Sequence, residues 1–512
     1  MKKPLLTVLP GGESRAFDEG TLLLDACADM GMVLRTPCGG KGFCGKCAIE
    51  ARGDLSEPLE LEPRLTGGVP GMRLACRAQM RGDVTVKRAP VFAAGRGRVS
   101  VPPAGHGLGL AVDIGTTSIQ ISLADLASGE TQALASFMNP QRRYGHDVVS
   151  RIAASTDPEA GRALVSLLRG SIFSAVADTL VQAGIPPARI EHMVCAGNTT
   201  MTYFFAGLDV KPLGAFPYTA AHRDFAAIEI PDARAFGAGA RIEALPVASA
   251  YLGGDLVGGL ALLDGQGHRR GVFFIDLGTN GEMFLRTPSG DIFAASCAMG
   301  PALEGMNISH GMTADEGALT HVHMNANVPS CEVMGGGEPV GISGTGLIDA
   351  VSIMRGSGMI GASGAFARTG GKETFRIVSH NGISAVRICG NVIITQKDIR
   401  SLQLAKGASL AGANILLKEA GCAVGEIGQV FIAGAFGENL SIDHFKRLSF
   451  IPLFPRAVYS FSGNTSLAAA ARACVDPAFM ARTRELRDAA RVVELSTHPE
   501  FNDEFVRCLD FS

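Results

Sequence analysis

The sequence predicts two modules of different fold class, a small α+β module at the N-terminus and a larger, two-lobed α/β module after it. Three observations predict this arrangement. Three cysteines lie in one glycine-rich loop, PCGGKGFCGKC, at residues 37–47. After Lys87 the composition changes to a stretch rich in proline, glycine and arginine. Beyond it, a strand–turn–strand pattern occurs twice, around Asp113 and Asp276.

Length and charge restrict the function classes. The chain has 512 residues, enough for roughly three folding units at about 150 residues each. A net charge of −3 with 19% charged residues argues against a nucleic-acid-binding protein. No stretch reaches the ~18 apolar residues of a membrane span, and the apolar part of MKKPLLTVLPGGES is too short for a signal peptide. We therefore expect a cytoplasmic protein without a nucleic-acid or membrane partner.

The cysteine spacing predicts an iron–sulfur site in the first module. Cys38, Cys44 and Cys47 form a C-x5-C-x2-C pattern, and Cys76 follows in LACRAQ. Three thiolates on one loop and a distant fourth suit a 2Fe–2S cluster. The glycines between them let the backbone wrap tightly and point N–H groups at sulfur. Zinc is the alternative, but it favours paired C-x2-C ligands, and Cys76 has no such partner.

The segments around these cysteines fit an α+β ferredoxin of the β-grasp type. LLTVLP and SRAFDEG predict a β-hairpin, and TLLLDACADMGM predicts an amphipathic helix. CAIEARG and DVTVKR predict two further strands. The C-x5-C spacing resembles that of adrenodoxin-like ferredoxins. We therefore assign residues 1–87 to a 2Fe–2S ferredoxin-like domain and residues 88–107 to a proline-, glycine- and arginine-rich linker.

The repeat beyond the linker predicts two phosphate-binding turns. LAVDIGTTSIQISL (110–123) and VFFIDLGTNGEMFL (272–285) share a hydrophobic strand, then Asp, Gly and Thr, then a second strand. Such a turn presents backbone N–H groups and hydroxyls to phosphate oxygens, and the aspartate can hold hydrated Mg²⁺. One copy alone is a weak signal. Two copies facing one cleft could bind one triphosphate.

These duplicated turns resemble the ATPase superfamily of actin, the sugar kinases and the heat-shock chaperones. Three further elements resemble it in order: ASAYLGGDLVGGLAL (248–262) and GNTSLAAAARA (463–473) as connecting helices, and VFIAGAFGENL (430–440) as an adenosine loop. The resemblance implies a two-lobed α/β, actin-like ATPase domain with duplicated ribonuclease-H-like cores. Its first lobe would be residues 108–270, and its second lobe residues 271–512.

A ferredoxin joined to this ATPase resembles the reductive activators of corrinoid proteins, which couple ATP hydrolysis to electron delivery. NPQRRYGHDVVSRI (139–152), CAGNTTM (195–201), GPALEGMNISHGM (300–312) and GISGTGLIDA (341–350) resemble stretches of that family. In the last stretch, three glycines are expected to precede a helix whose N-terminus could meet an anion. The resemblance implies one-electron reduction of Co(II) to Co(I) on a partner corrinoid protein or corrinoid-dependent methyltransferase. It also implies an upstream electron donor and a homodimer.

The same resemblance assigns roles to individual residues. Cys38, Cys44, Cys47 and Cys76 would hold the cluster. Asp113 and Asp276 would organise Mg²⁺ beside ATP. The groups expected at the phosphates are Gly115, Thr116, Thr117, Gly278, Thr279, Asn280 and Gly281, and those expected at the adenosine are Gly434 and Gly437.

Two acids are candidates for orienting the attacking water. Asp255 is the first, because the first connecting helix carries the equivalent acid or amide in related ATPases. Glu282 is the second, because it follows the phosphate turn directly, although strand alternation can aim it away from the turn. Either could instead be a solvated or helix-capping acid.

Two other functions fit the same domain pair. The chain could donate electrons, driven by ATP, to another low-potential enzyme such as a dehydratase. It could also be a kinase or chaperone-like ATPase whose ferredoxin senses redox state. Known dehydratase activators share their cluster between subunits within the ATPase fold, whereas this cluster has its own domain, which favours the corrinoid activator.

Overall fold

The computed structural model describes residues 3–87, 101–103, 105–231, 233, 236–237, 239–325, 328–367, 375–434 and 440–511. The chain forms two compact units. Unit 1 comprises Met1–Leu245 and Ala470–Met480, and unit 2 comprises Pro246–Ala469 and Ala481–Ser512. Most of the predicted linker, residues 88–100 and 104, lies outside the described residues. The four predicted domain ranges remain predictions beside this two-unit division.

The N-terminal part of unit 1 is a five-stranded sheet with one helix across it. Its elements are β1 (Leu5–Leu9), β2 (Glu13–Ala16), α1 (Leu23–Asp29), β3 (Ala48–Leu55), α2 (Glu62–Leu65), β4 (Met72–Leu74) and β5 (Met80–Lys87). The strand order is β2-β1-β5-β3-β4; β1 and β5 are parallel, and the other neighbours are antiparallel. The predicted hairpin, helix and strands are confirmed. The helix is shorter than predicted, because Gly31 turns the chain at φ +70°.

The rest of unit 1 contains a second five-stranded sheet. Its elements are β6 (Leu108–Ile114), β7 (Ser118–Asp125), β8 (Thr131–Met138), a 3-10 helix (Pro140–Tyr144), α3 (Val148–Ala154), α4 (Pro158–Ala183), a 3-10 helix (Pro187–Arg189), β9 (Ile190–Ala196), α5 (Thr199–Ala206), α6 (Lys211–Gly214) and β10 (Arg241–Ala244). The strand order is β10-β9-β6-β7-β8. β6, β7 and β8 are antiparallel neighbours, whereas β9 and β10 run parallel to β6.

Helix α4 contradicts the expectation that no stretch of the chain is apolar enough for a membrane span, since by length and composition alone it is long and apolar enough to cross one. In the structure, 50% of its most apolar window is buried. Leu164, Leu168 and Ile172 are fully buried, and the helix packs against α5, β8 and the first 3-10 helix. This burial is typical of a core helix in a folded lobe.

Unit 2 is built around a six-stranded sheet. Its elements, with α11 and α12 crossing into unit 1, are α7 (Gly254–Gly265), β11 (Val272–Leu277), β12 (Asn280–Arg286), β13 (Ile292–Ala298), β14 (Ala318–Asn325), β15 (Val328–Val333), β16 (Gly341–Ile342), α8 (Gly344–Gly356), β17 (Arg376–His380), β18 (Ile383–Cys389), β19 (Val392–Thr395), α9 (Gln396–Glu419), a 3-10 helix (Val424–Glu426), β20 (Gln429–Ala433), α10 (Ile442–Arg447), β21 (Val458–Phe461), α11 (Thr465–Val475), α12 (Pro477–Ala489), β22 (Ala490–Val492), a 3-10 helix (Leu495–Thr497) and α13 (Phe501–Arg507). The main strand order is β21-β20-β11-β12-β13-β22.

The duplicated core predicted from the repeat is confirmed by sheet topology. In each sheet, the first strand lies between its own hairpin partner and a parallel strand that comes later in the chain. β6 and β11 hold these central positions, and each is followed at once by a Gly-Thr turn. Their side chains are buried on both faces, which explains the nearly continuous apolar runs in the sequence.

Two predicted helix starts differ from the structure. The glycine stretch at 341–346 was expected to precede a helix, but α8 begins at Gly344, because the Ser343 hydroxyl accepts a hydrogen bond from Gly346 N. Gly344 and Gly346 therefore lie in the first turn of the helix. The second connecting helix begins at Thr465, because Asn464 Oδ1 accepts from Leu467 N at 2.8 Å.

Candidate functional site

The four predicted cluster cysteines lie together as two pairs in the N-terminal sheet of unit 1. The Sγ atoms of Cys38 and Cys44 are 3.2 Å apart, and so are those of Cys47 and Cys76. All four side chains are buried. The loop supplies three of them, and the segment after β4 supplies Cys76. Four sulfurs separated in sequence are thus held in one place.

Glycines make the cysteine loop possible. Gly39, Gly40, Gly42 and Gly45 all have positive φ, which other residues rarely adopt. A Cβ at Gly45 would lie 2.6 Å from the carbonyl oxygen of Leu65, too close for any side chain. The loop can therefore wrap around the sulfur pairs only with glycine at these positions.

The chemistry of the sulfurs fits a 2Fe–2S cluster. Cys44 Sγ donates to Cys38 Sγ, which lowers the pKa of the Cys38 thiol to about 5, and the hydrogen bond between Cys47 and Cys76 lowers the pKa of the Cys47 thiol. Each pair therefore contains a thiol ready to become the metal-binding thiolate. Two pairs suit two irons with two thiolates each.

The first phosphate turn, Gly115–Thr117, connects β6 to β7 and is held from behind. Asn139 Nδ2 donates to the Gly115 carbonyl at 3.0 Å, and Asn139 N donates to the Thr117 carbonyl at 2.8 Å. Arg151 Nη2 donates to the Thr116 carbonyl at 2.6 Å. Asn139 and Arg151 are completely buried. With its carbonyls bound on this side, the turn keeps its shape without a ligand.

A further side chain orients the hydroxyl of this turn. Asn198 Nδ2 donates to Thr116 Oγ1 at 2.9 Å, while Asn198 Oδ1 caps α5 through Met201 N. The stretch CAGNTTM is thus a strand-to-helix turn that also contacts the predicted phosphate turn. Asp113, the predicted magnesium-organising residue of this unit, is half-buried at the end of β6.

The second phosphate turn is shorter than the sequence suggests. Gly278 and Thr279 form the turn, whereas Asn280 and Gly281 already belong to β12. Thr279 Oγ1 donates to Glu304 Oε2 at 2.8 Å. Both turns therefore have a threonine hydroxyl held by a polar side chain from a later segment of the same unit.

Three predicted acids come together in unit 2. Asp276 on β11 lies directly opposite Glu282 on β12 in the antiparallel ladder, so both side chains project from the same face. Strand alternation therefore does not separate them. Burial raises the pKa of Glu282 well above its usual range, and the charges of Asp255 and Asp276 raise it further. Asp255 lies in the first turn of α7.

The predicted adenosine loop is described only at its start. Gly434 follows β20 with φ +120°, and a Cβ there would collide with the Leu277 carbonyl and lie 3.3 Å from Asp276 Oδ1. The end of β20 therefore passes close to the second phosphate turn. Gly437, the other predicted adenosine residue, lies outside the described residues.

Sequence reasoning missed four residues that shape the turns. Asn139, Arg151, Asn198 and Glu304 contact the turn residues directly. Each lies in one of the stretches that resemble the reductive activators of corrinoid proteins, but nothing in those stretches predicts its contact with a phosphate turn. An isolated asparagine or arginine carries no spacing signal, so their partners become visible only in the folded units.

Three family models match successive parts of the chain. "2Fe-2S iron-sulfur cluster binding domain" matches residues 7–81, "RACo middle region" matches residues 108–265, and "C-terminal domain of RACo the ASKHA domain" matches residues 271–512. The order of these matches agrees with the modules predicted from sequence. The predicted ferredoxin and actin-like ATPase fold classes are confirmed.

Two relatives and one solved structure are similar to this chain over most of its length. The chain is 25% identical to the corrinoid activation enzyme RamQ of Eubacterium limosum, over 95% of each chain. It is 26% identical to a Co(II) methylated amine-specific corrinoid protein reductase of Methanosarcina barkeri, over 71% of this chain and 69% of the relative. The solved structure of a reductive activator for corrinoid, iron–sulfur protein superposes with a TM-score of 0.74 at 25% identity, covering 99% of this chain and 98% of that one.

Proposed function

Because the chain belongs to the family of RACo-type corrinoid reductive activators, we propose that it reduces the inactive Co(II) form of a corrinoid protein to Co(I), with ATP hydrolysis driving the transfer. The observation that supports this proposal most directly is that one chain contains both the paired cysteines and the duplicated phosphate turns. A corrinoid protein or a corrinoid-dependent methyltransferase is the partner. An upstream donor reloads the chain, which we propose to be a cytoplasmic homodimer.

The cysteine pairs are proposed to hold the electron-transfer group. Cys38 and Cys44 would bind one iron, and Cys47 and Cys76 the other. When bound, a 2Fe–2S cluster supplies one electron at a time. The buried sulfurs and the glycine loop exclude bulk water from this position, which favours a stable thiolate environment.

ATP is proposed to bind at the phosphate turns with Mg²⁺ organised by Asp113 and Asp276. Backbone N–H groups and threonine hydroxyls of the turns suit phosphate oxygens. Asp255 is the preferred residue for orienting the attacking water. Glu282 suits that role less well, since burial and the charges of Asp255 and Asp276 raise its pKa, and a carboxyl that holds its proton more firmly is a poorer proton acceptor.

An electron carrier needs ATP here for a thermodynamic reason. Plant-type ferredoxins have potentials of about −400 mV, and cobalt must reach a still lower potential to become Co(I). Each ~59 mV of shortfall makes a one-electron transfer tenfold less favourable. ATP can help only if its bound states differ in affinity for the states of the partner. We propose that the ATP-bound chain binds the corrinoid protein and makes its Co(II) easier to reduce, and that hydrolysis releases it.

The test is a spectroscopic assay of Co(I) formation. The purified chain with its cluster reconstituted is mixed with a Co(II) corrinoid protein, a low-potential reductant and either ATP or a non-hydrolysable analogue. With the chain at a small fraction of the corrinoid protein, Co(I) absorbance is expected to keep rising with ATP and to stop at no more than one equivalent per chain with the analogue, because only hydrolysis releases the partner. Asp255→Ala should retain the cluster spectrum and lose the continued ATP-dependent rise. Equal Co(I) formation with and without hydrolysable nucleotide would contradict the proposal, and phosphorylation of a small molecule would indicate a kinase instead.

A further inference from the structure

A short segment of the first lobe contacts the ferredoxin module. The 3-10 helix Pro140–Tyr144 packs against α1, as does α4. Arg143 Nη1 forms an ion pair with Asp29 Oδ1 at 2.9 Å, and Ser174 Oγ on α4 donates to the Gly31 carbonyl at 2.5 Å. All these contacts lie within unit 1. They define a docked position for the cysteine-bearing module.

Arg142 of this 3-10 helix reaches the cysteine loop. Its Nη2 atom lies 3.8 Å from the position of a Cβ on Gly40, and the same position is 3.8 Å from Cys76 Cβ. A cavity of about 30 Å³ lies beside the guanidinium and is lined by Asp25, Pro140 and Arg142, among other residues. The guanidinium therefore stands next to two of the segments that carry the cysteine sulfurs.

The guanidinium of Arg142 does not use all of its hydrogen-bond donors among the described residues. Nη1 is buried and has no hydrogen-bond partner among the described residues. Burial lowers the pKa of Arg142, and the negative charges of Asp25 and the thiolates of Cys38, Cys76 and Cys47 oppose that effect. An arginine stays charged in such surroundings. A buried, charged donor without a partner is costly, which indicates a missing acceptor in its surroundings.

We propose that Arg142 is an electrostatic partner of the 2Fe–2S cluster, stabilising its reduced state while the ferredoxin module is docked on the first lobe. This inference rests on the proposed function only in requiring that the four cysteines hold the cluster. Thiolate and sulfide sulfurs are the acceptors that the free donor lacks. Arg142 is a positioning residue rather than a catalytic one.

The sign of the effect follows from charge. Reduction adds one electron, so the reduced cluster carries one more negative charge than the oxidised cluster. A nearby positive charge in a poorly solvated position stabilises that extra charge and raises the reduction potential. The docked cluster is therefore easier to load from the upstream donor. A cluster that leaves Arg142 loses this stabilisation and becomes a stronger reductant, as delivery to Co(II) requires.

The segment that presents Arg142 also braces the first phosphate turn. Asn139, three residues before Arg142, donates to the Gly115 carbonyl, and Gln141 Oε1 accepts from Arg151 Nη1 at 3.3 Å. The charge at the cluster and the shape of the turn are thus set by one short stretch of backbone. The stretch NPQRRYGHDVVSRI therefore has two physical roles. Asn139 and Arg151 hold the phosphate turn, and Arg142 faces the cysteine loop.

The experiment is a redox titration of the cluster in the full-length chain, without nucleotide or corrinoid partner. Arg142→Gln and Arg142→Met remove the charge. Methionine also keeps the apolar stem and removes the unpartnered donor, so it carries the test if R142Q does not fold. Arg142→Lys keeps the charge, and Arg52→Gln removes a charge from a side chain that is 80% exposed. Visible absorbance and electron paramagnetic resonance follow the reduced fraction.

At a fixed solution potential, R142Q and R142M are expected to lower the ratio of reduced to oxidised cluster by at least about tenfold, which corresponds to about 59 mV. R142K and R52Q should stay close to the wild type. Unchanged potentials in R142Q and R142M, or a shift equal to that of R52Q, would overturn the inference. Loss of the cluster from all three Arg142 variants would also overturn it, because lysine keeps the charge. A wild-type chain that binds no cluster would instead contradict the proposed function.

Discussion

At the residue scale, Glu282 shows how a short motif creates an unusual electrostatic environment. The hairpin β11–β12 places it opposite Asp276, and α7 adds Asp255 to the same region. Burial penalises the charged form, and two neighbouring carboxylates add repulsion. The folded chain therefore keeps a proton on Glu282 at a pH where an unfolded chain has lost it.

This proton predicts a pH-dependent effect of Glu282→Gln on stability. Above the ordinary pKa of 4.5, the native state binds more protons than the unfolded state, so the stability of the wild type falls as the pH rises towards the raised pKa. Glutamine lacks this linkage. The free energy of unfolding of E282Q, relative to the wild type, should therefore increase by up to about 1.4 kcal/mol per pH unit in that window. Urea unfolding at several pH values measures it.

The matched control is Glu338→Gln, which changes an exposed glutamate of unit 2. It measures how far the loss of an exposed carboxylate alone changes the urea unfolding curves. If the E282Q curve runs parallel to that of the wild type, Glu282 is not held protonated, and its case as the water-orienting residue becomes stronger.

At the element scale, periodicity and turn residues predicted the strands and helices around the motifs, but not all of their ends. The first connecting helix was expected from residue 248, whereas α7 starts at Gly254. The preceding residues form a tight loop in which Ala248 N and Ser249 N both donate to the Leu252 carbonyl. Such bonds depend on backbone geometry rather than side-chain type, so composition alone extends the helix too far.

The hydrogen bonds that hold the phosphate turns could not be predicted from sequence patterns, for a different reason. The Gly-Thr turns are local and appear in the sequence, but the side chains that hold them come from other segments. Asn139 and Thr117 are joined across a hairpin, and Glu304 meets Thr279 after a long excursion of the chain. These contacts depend on tertiary structure, and one sequence does not report them.

The brace predicts a specific effect of Asn139→Ala on nucleotide binding. Removing the amide leaves the partly buried Gly115 carbonyl without this donor, which should cost about 1 kcal/mol or more in stability. The turn should also lose its preset shape, so the KM for ATP should rise roughly tenfold, equivalent to about 1.4 kcal/mol. Steady-state ATPase kinetics and thermal unfolding measure the two effects.

Asp157→Ala is the control that separates a loss of stability from a loss of the shape of the phosphate turn. Asp157 caps α4 through Glu159 N and Ala160 N and is exposed, so its loss should cost ~1 kcal/mol. It should leave the KM for ATP unchanged. An equal rise in KM for both variants would mean that general destabilisation, and not the turn, controls nucleotide binding.

At the scale of the whole molecule, the order of modules was the most predictable feature. The cysteine loop and the repeated turns define their modules by themselves, because each is a short motif with its own chemistry. The division into compact units is less visible in the sequence. Helix α7 precedes the second turn, yet it packs on β12, and its Asp264 pairs with Arg286 and Arg482 of unit 2. Linear order does not show which sheet a connecting helix covers.

The docking of the ferredoxin module within its own chain predicts the outcome of mixing two inactive variants. Cys76→Ala should lose the cluster and keep ATP turnover, whereas Asp255→Ala should keep the cluster and lose ATP-dependent Co(I) formation. Arg143 and Ser174 dock the cysteine module on the first lobe of its own chain, so a module released for delivery is expected to act with the nucleotide site of that chain. The mixture should form no more Co(I) than the two variants do separately. A rise towards the wild-type level, measured by the same absorbance assay, would contradict this expectation and show that the cluster of one chain serves the nucleotide site of another.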